Sequence, residues 1–238
     1  MNLTPASLPD RIAVIGAGRL GSALAAALQP FSEVRLSGRG ADGAGAGLVL
    51  LCVPDAEIAR AAAAVAHGPL VGHCSGSTSL DALTPHEALG LHPLMTITDA
   101  EPVFAGAGAA VAGTTPRALA VARALAVALG LSPLELSDAD RPAYHAAASV
   151  ASNFLVTLEA FAEALLPAYR TLLAPLVRAT VENWAAQGPE RALTGPIARG
   201  DTATVARQRE AVAARTPERL ALWDHLAAAT RELAGASR

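Results

Sequence analysis

An α/β half built on a parallel sheet, followed by an all-α half, is the fold predicted by three observations. A glycine turn, Gly16-Ala17-Gly18-Arg19-Leu20-Gly21, joins a short apolar run, Ile12–Ile15, to a helical pattern, Leu20, Leu24 and Leu28. Short apolar runs and helical patterns then alternate as far as about residue 137. From Ser137 onward only helical patterns follow. The expected division is 10–137 for the α/β domain and 138–238 for the helical one.

The elements follow in order. The first ten residues read as a loose tail, and Ile12–Ile15 is strand one. In the turn after it each glycine has a task in a dinucleotide-binding unit. Gly16 permits the tight turn, Gly18 lets the backbone approach a pyrophosphate, and Gly21 lets helix and strand pack closely. The helix N-terminus, with Ala17, Arg19 and Leu20 around it, offers N–H groups to the phosphates. Glu33–Leu36 is strand two. An NAD-binding unit usually ends this strand with an acid that holds the ribose 2′-hydroxyl. Here stand Ser37 and Arg39, a hydroxyl and a forked cation suited to a 2′-phosphate. NADP is therefore favoured over NAD; the competing reading of Arg39 is a solvated side chain in a glycine turn.

A glycine/alanine loop, 40–47, replaces the next helix. Leu48–Val53 is a continuously apolar strand, as a buried parallel strand should be. Pro54-Asp55 starts a helix to about Ala66, and Leu70–Cys74 is the next strand. Leu89–Leu94 and Ala109–Val111 follow; Thr115-Pro116 caps a helix that ends at Gly130, and Pro133–Leu136 is an edge strand. A long helix is expected from about Asp138 to Leu166. Pro167 and Pro175 are expected to interrupt what comes next, before a helix that stops near Gly188. After the loop 193–201, Asp201 and Thr216-Pro217 start the last two helices.

Composition narrows the function. The chain has 238 residues, 52% hydrophobic and 16% charged, with net charge −3 and no basic patch, which argues against nucleic acid. No apolar run reaches the roughly 20 residues of a membrane span, and no secretion signal is visible, so a cytoplasmic protein is expected. Cys52 and Cys74 read as buried, reduced thiols, with no metal site. All 18 basic residues are arginine. That excludes Schiff-base chemistry, a P-loop lysine and a lysine acid or base.

Ligands of open α/β sheets bind beyond the carboxyl ends of the strands. Three stretches fall there: Cys52-Val53-Pro54-Asp55, whose Val53 and Pro54 are expected against the cofactor; the turn Ser75-Gly76-Ser77-Thr78-Ser79; and Leu91-His92-Pro93. The serine turn reads equally as donors for a substrate carboxylate or carbonyl and as a polar cap for the next helix. Ser75 lacks the flanks of a hydrolase nucleophile. His145, Ser149 and Asn153 fall at i, i+4 and i+8, a polar stripe on an apolar helix that either is buried and paired or lines a cleft. In the loop 193–201, Arg199 either clamps a substrate carboxylate or pairs with a neighbouring acid. Thr194 either joins that site or, like Asp201, caps a helix.

With these residues assembled, the chain resembles the bacterial family that joins a Rossmann-like domain to a helical domain of unknown function, DUF2520. The resemblance rests on Gly16–Gly21, on Leu91-His92-Pro93-Leu94, on Tyr144-His145-x-Ala147-Ala148 with Ser152-Asn153, and on Ala192-Leu193-Thr194-Gly195-Pro196-x-Ala198-Arg199-Gly200-Asp201. It is similar, more distantly, to the 6-phosphogluconate and β-hydroxyacid dehydrogenases, ketopantoate reductase and pyrroline-5-carboxylate reductase. That implies NADPH-dependent reduction of a small keto acid or imine, with ketopantoate the leading substrate, and a homodimer formed through the helical domain. Ketopantoate reductases and β-hydroxyacid dehydrogenases carry a catalytic lysine early in the helical domain, and this chain has none. His145 stands roughly in its place. His145 is therefore read as the general acid, with Ser149 beside it, Asn153 and Ser75 polarising the substrate oxygen and Arg199 binding a carboxylate, while Gly76, Ser77, His92 and Thr194 complete the expected substrate site. The missing lysine also leaves open a non-catalytic NADP-binding sensor or interaction protein.

Overall fold

The computed structural model of the chain describes residues 8–98 and 103–235. It forms two compact units, Met1–Ser152 and Asn153–Arg238. The first helical turns after the sheet therefore belong to the first unit, and the boundary lies further along the chain than residue 137.

The first unit holds a seven-stranded sheet. Its strands are β1 (Arg11–Ile15), β2 (Glu33–Ser37), β3 (Leu48–Leu51), β4 (Leu70–His73), β5 (Ala88–Leu94), β6 (Gly108–Gly113) and β7 (Ser132–Glu135), in the order β2-β1-β3-β4-β5-β6-β7. Its helices are α1 (Arg19–Leu28), α2 (Ile58–Ala63), α3 (Pro116–Ala128) and α4 (Arg141–Ser149). Strands β1, β3 and β4 are buried between two apolar layers, which is why they read as apolar runs, whereas β2 is the largely exposed edge strand. Ile12, Val14, Leu48 and Leu50 face one layer, with α1 and α3. Ala13, Ile15, Val49 and Leu51 face the other, with Ile58 and Leu83. The helix α3 starts where Thr115 accepts a hydrogen bond from the Ala118 N–H at 3.1 Å, with Pro116 in the first turn.

Two departures from the expected α/β pattern stand out. The sheet is parallel except at β5–β6, which pair antiparallel. An antiparallel neighbour needs no crossover helix, and the described residues between β5 and β6 contain none. The helix after Pro54 is also shorter than expected, a 3₁₀ turn at Asp55–Glu57 followed by α2.

The second unit contains α5 (Leu155–Leu165), α6 (Arg170–Gln187), α7 (Pro189–Ala192), α8 (Thr202–Arg215) and α9 (Leu220–Gly235). The expected uniform helix from Asp138 is instead a 3₁₀ turn at Asp138–Asp140, then α4, then a π turn at Val150–Phe154, then α5. Pro175, expected as an interruption, lies inside α6. Its ring removes the hydrogen bond that would reach Thr171, and Thr171 is exposed, so water can take that carbonyl. Among the described residues one stretch, Asp138–Leu165, is long and apolar enough to cross a membrane by length and composition.

Leu50 is fully buried in the interior strand β3. Leu50→Ala is expected to cost about 2–5 kcal/mol, read from the urea midpoint of the first unit's transition.

Candidate functional site

All strands from β1 to β5 point the same way, so Gly16, Ser37, Cys52, Ser75 and His92 stand near one edge of the sheet. The glycine turn is built for closeness. Gly16 has φ +114°, and a Cβ there would lie 2.3 Å from the Cys52 carbonyl oxygen. A Cβ on Gly21 would lie 1.8 Å from the Gly16 carbonyl oxygen. At Gly18 the space is open, with nothing within 4 Å of an ideal Cβ. Gly18 is also the N-cap of α1 and has no side chain to cap it, so the first N–H groups, from Arg19 to Gly21, face that opening without a side-chain acceptor. This is a shape that admits an anionic group against the helix N-terminus.

The Gly16 N–H donates to the Ser37 carbonyl at 2.9 Å, which fixes the end of β2 beside the glycine turn. A cleft of about 420 Å³ opens next to it, lined by Ile15, Arg39, Val53, Glu57 and Arg60. Arg39 is exposed there and Ser37 half-buried. Arg60 on α2 pairs with Glu57 and brings a second guanidinium to the same cleft. Pro54 is exposed and begins the 3₁₀ turn before α2.

The serine turn after β4 closes on a carboxylate. Asp55 Oδ2 accepts from Ser75 Oγ at 2.8 Å and from Ser77 Oγ at 2.7 Å, and Ser75 Oγ also contacts Thr78 Oγ1 at 3.0 Å. Burial alone would raise the Asp55 pKa, but the hydrogen bonds from Ser77, Ser75 and Thr78 outweigh it and hold it below the usual carboxylate value. Ser75 and Gly76 are buried, and Ser77 is exposed.

His92 lies against this turn. A Cβ on Gly76 would come within 2.9 Å of its Cε1. Its Nδ1 is 2.7 Å from the Tyr144 hydroxyl on α4, and the two rings meet edge to face, 5.5 Å apart at 84°. Burial first, then the nearby charges of His145, Arg141 and His73, push the His92 pKa down to about 4, against a smaller opposing effect of Asp55. One turn before Tyr144, Arg141 is buried at 3% exposure, and its Nε donates to Asp138 Oδ1 at 2.6 Å. Asp138 in turn accepts from Ser79 Oγ at 2.6 Å. His73 is wholly buried, its Nδ1 accepting the Ser75 N–H at 3.2 Å. Burial lowers its pKa too, with Arg141 adding to the effect.

Of the expected site residues, Ser75, Gly76, Ser77 and His92 come together, with Asp55 and Tyr144. His145 follows Tyr144 but is exposed; Ser149 is half-buried at the end of α4. Asn153 sits in the π turn, which breaks the even spacing from His145 through Ser149, and it belongs to the second unit. Within that unit Arg199 and Thr194 are exposed, in a turn where the Arg199 N–H donates to the Gly195 carbonyl at 3.2 Å. Asp201 caps α8, accepting from the Thr204 N–H at 3.0 Å. Cys52 and Cys74 are free thiols with sulfurs 3.8 Å apart. No group of three metal-ligating side chains occurs among the described residues.

Sequence reading missed Arg60, Arg141 and the His92–Tyr144 pair. The partners of that pair are 52 positions apart, so no local spacing shows it. Arg141, three residues after Asp138, carried the one available signal: an i, i+3 ion pair at a helix start.

A histidine with an ordinary pKa near 6.5 in the unfolded chain takes up its proton there before it does so in the folded one. With the folded value of His92 near 4, stability is complete above about pH 6.5 and falls as the pH drops toward 4. His92→Gln is expected to flatten that fall, checked by urea midpoints at neutral and at acid pH.

Comparison with known proteins gives a family and a fold. The family model described as a domain of unknown function, DUF2520, matches residues 108–230, slightly more than half of the chain. No curated protein matches. Among solved structures, the chain is similar to a candidate NADP oxidoreductase of Bacteroides fragilis, at 23% identity and TM-score 0.79, covering 94% of this chain and 98% of that one. It is also similar to 1-pyrroline-5-carboxylate reductase of Streptococcus pyogenes, at 17% identity and TM-score 0.62, covering 93% and 98%. A third likeness is to a reductive aminase of Aspergillus terreus, solved with NADPH and ethyl-5-oxohexanoate, at 14% identity and TM-score 0.67, covering 96% and 99%. At these identities the likeness is one of fold.

Proposed function

We propose that this chain, which belongs to the DUF2520 family, is an NADPH-dependent oxidoreductase that reduces a small keto acid or imine. The observation that carries the reading is the glycine turn. Gly16 and Gly21 have no room for a Cβ, Gly18 has open space beside it, and an uncapped helix start faces that space. The site fits a dinucleotide pyrophosphate. Arg39, with Arg60 across the cleft, fits an adenosine 2′-phosphate, and no acid stands at the end of β2 to favour NAD. When bound, the nicotinamide supplies a hydride. The chain's own task is then to hold the acceptor at the strand ends and deliver a proton, with Ser75 and Ser77 as polar contacts. His145 on α4, next to Tyr144, is the expected proton donor.

The structural neighbours described as an NADP oxidoreductase and as a reductive aminase with NADPH support the cofactor, and the reductive aminase and the 1-pyrroline-5-carboxylate reductase support the reaction class. Ketopantoate reduction to pantoate is the specific reaction to test first. The two unoxidised thiols fit a cytoplasmic setting. Exposed apolar side chains of the helical unit, Phe154, Val156, Leu172, Leu176 and Trp184, support a homodimer formed through it. A second reading, a non-catalytic NADP sensor, is favoured by one fact, the absence of lysine.

The test is titration with NADPH and NADH by nicotinamide fluorescence, followed by a panel of keto acids and cyclic imines that includes ketopantoate. Binding of NADPH with oxidation by one acceptor is the expected result. Binding without oxidation favours the sensor, and binding of neither nucleotide overturns both. Arg39→Ser is expected to weaken NADPH about 10–100-fold, the worth of a charge-assisted hydrogen bond of roughly 1.5–3 kcal/mol, and to leave NADH unchanged.

A further inference from the structure

We propose that the Tyr144 hydroxyl delivers the proton in this reduction and that His92 is its positioning residue. The inference rests on the oxidoreductase reading above. A chain with no lysine must take its proton from another acid, and it must hold that acid at the ligand edge of the sheet.

The geometry does this. Gly90 pairs with His73, the last residue of β4, so His92 stands two residues further out along β5. Its ring lies over the turn that follows β4, in a space that exists only because residue 76 has no side chain. Tyr144 reaches it from α4. That helix is anchored one turn earlier by the buried Arg141 and its bond to Asp138, so the phenol is brought to a fixed place. The hydroxyl ends 2.7 Å from His92 Nδ1.

The direction of that hydrogen bond matters. In the Nδ1–H tautomer His92 donates to the phenol oxygen. The backbone at Ala110, paired with His92 across β5–β6, also favours the phenolate. The phenol oxygen then accepts, and its own proton stays free for transfer. Burial keeps His92 neutral near pH 7, so it serves as a donor without competing as the acid. Arg141 also stabilises the phenolate, although burial leaves the Tyr144 pKa raised.

The step balances. The hydride forms a new C–H bond at the carbonyl or imine carbon, and the π pair moves onto oxygen or nitrogen. The Tyr144 O–H bond breaks, and its proton goes to that atom. The phenolate left behind recovers a proton from solvent. His145, beside Tyr144 on the helix, is exposed and has no comparable anchor.

The chain has two tyrosines, Tyr144 and Tyr169. In a Tyr169→Phe background the alkaline rise in tyrosinate absorbance therefore reads Tyr144 alone. The experiment combines that titration with NADPH oxidation by the keto-acid and imine panel, using the full chain. Tyr144→Phe is expected to lower kcat about 100-fold or more while NADPH binding stays within about twofold, whereas Tyr169→Phe leaves kcat unchanged. His92→Ala is expected to lower kcat and move the phenol titration to higher pH, and His92→Asn, which keeps a donor, to restore part of both. Turnover retained in Tyr144→Phe, or a phenol titration indifferent to His92, overturns the proposal alone. NADPH bound by the wild-type chain and oxidised by no acceptor overturns the oxidoreductase reading, and this role with it.

Discussion

The structure depends on how closely three backbone segments approach one another at the first turn. The start of α1, the end of β1 and the end of β3 meet where Gly16, Gly21 and Cys52 come together. One added methyl group at Gly16 or Gly21 would collide with a carbonyl oxygen. The segments are tied as well as close. Gly16 donates to the Ser37 carbonyl at 2.9 Å, and Cys52 donates to the Ile15 carbonyl at 2.8 Å. The turn thus fixes the ends of β1, β2 and β3 relative to one another, and the open space at Gly18 is a product of that arrangement. Everything proposed for cofactor binding follows from it, because a phosphate needs backbone N–H groups at a set distance and no side chain in between.

A second constraint operates at the ends of β4 and β5. Polar groups there are partly or wholly withdrawn from water and must find partners. Asp55 gathers the hydroxyls of the serine turn, Asp138 ties Ser79 to the buried Arg141, and His73 takes the Ser75 N–H. These bonds join segments far apart in sequence, and they bring Tyr144 to His92. The histidines are kept neutral by burial and by Arg141, while the carboxylates keep their charge through hydrogen bonds. One edge of the sheet therefore holds neutral histidines beside hydrogen-bonded carboxylates.

Much of this was legible in the sequence, and for physical reasons. A parallel strand buried on both faces is mostly apolar, so Ile12–Ile15, Leu48–Leu51 and the run starting at Leu70 announced themselves, with His73 the polar exception at the end of β4. The caps of α3 and α8, Thr115 and Asp201, stand where short polar side chains preceded helical patterns. The glycine turn carried its spacing openly. Other features were not legible. The antiparallel pairing of β5 with β6 has no local signature. The π turn at Val150–Phe154 has no signature in the residue spacing, and it breaks the even stripe of His145, Ser149 and Asn153. Pro175 forecast a break in α6 that an exposed helix tolerates. The partnership of His92 with Tyr144, and the burial of Arg141, arise only once the sheet places β5 beneath α4.

The most direct test of the central claim is a crystal structure of the chain grown or soaked with NADP. The pyrophosphate is expected at Gly18 against the N–H groups at the start of α1, and the 2′-phosphate at Arg39 in the cleft it shares with Arg60. A dinucleotide bound elsewhere, or none at a concentration well above that of the protein, would contradict it.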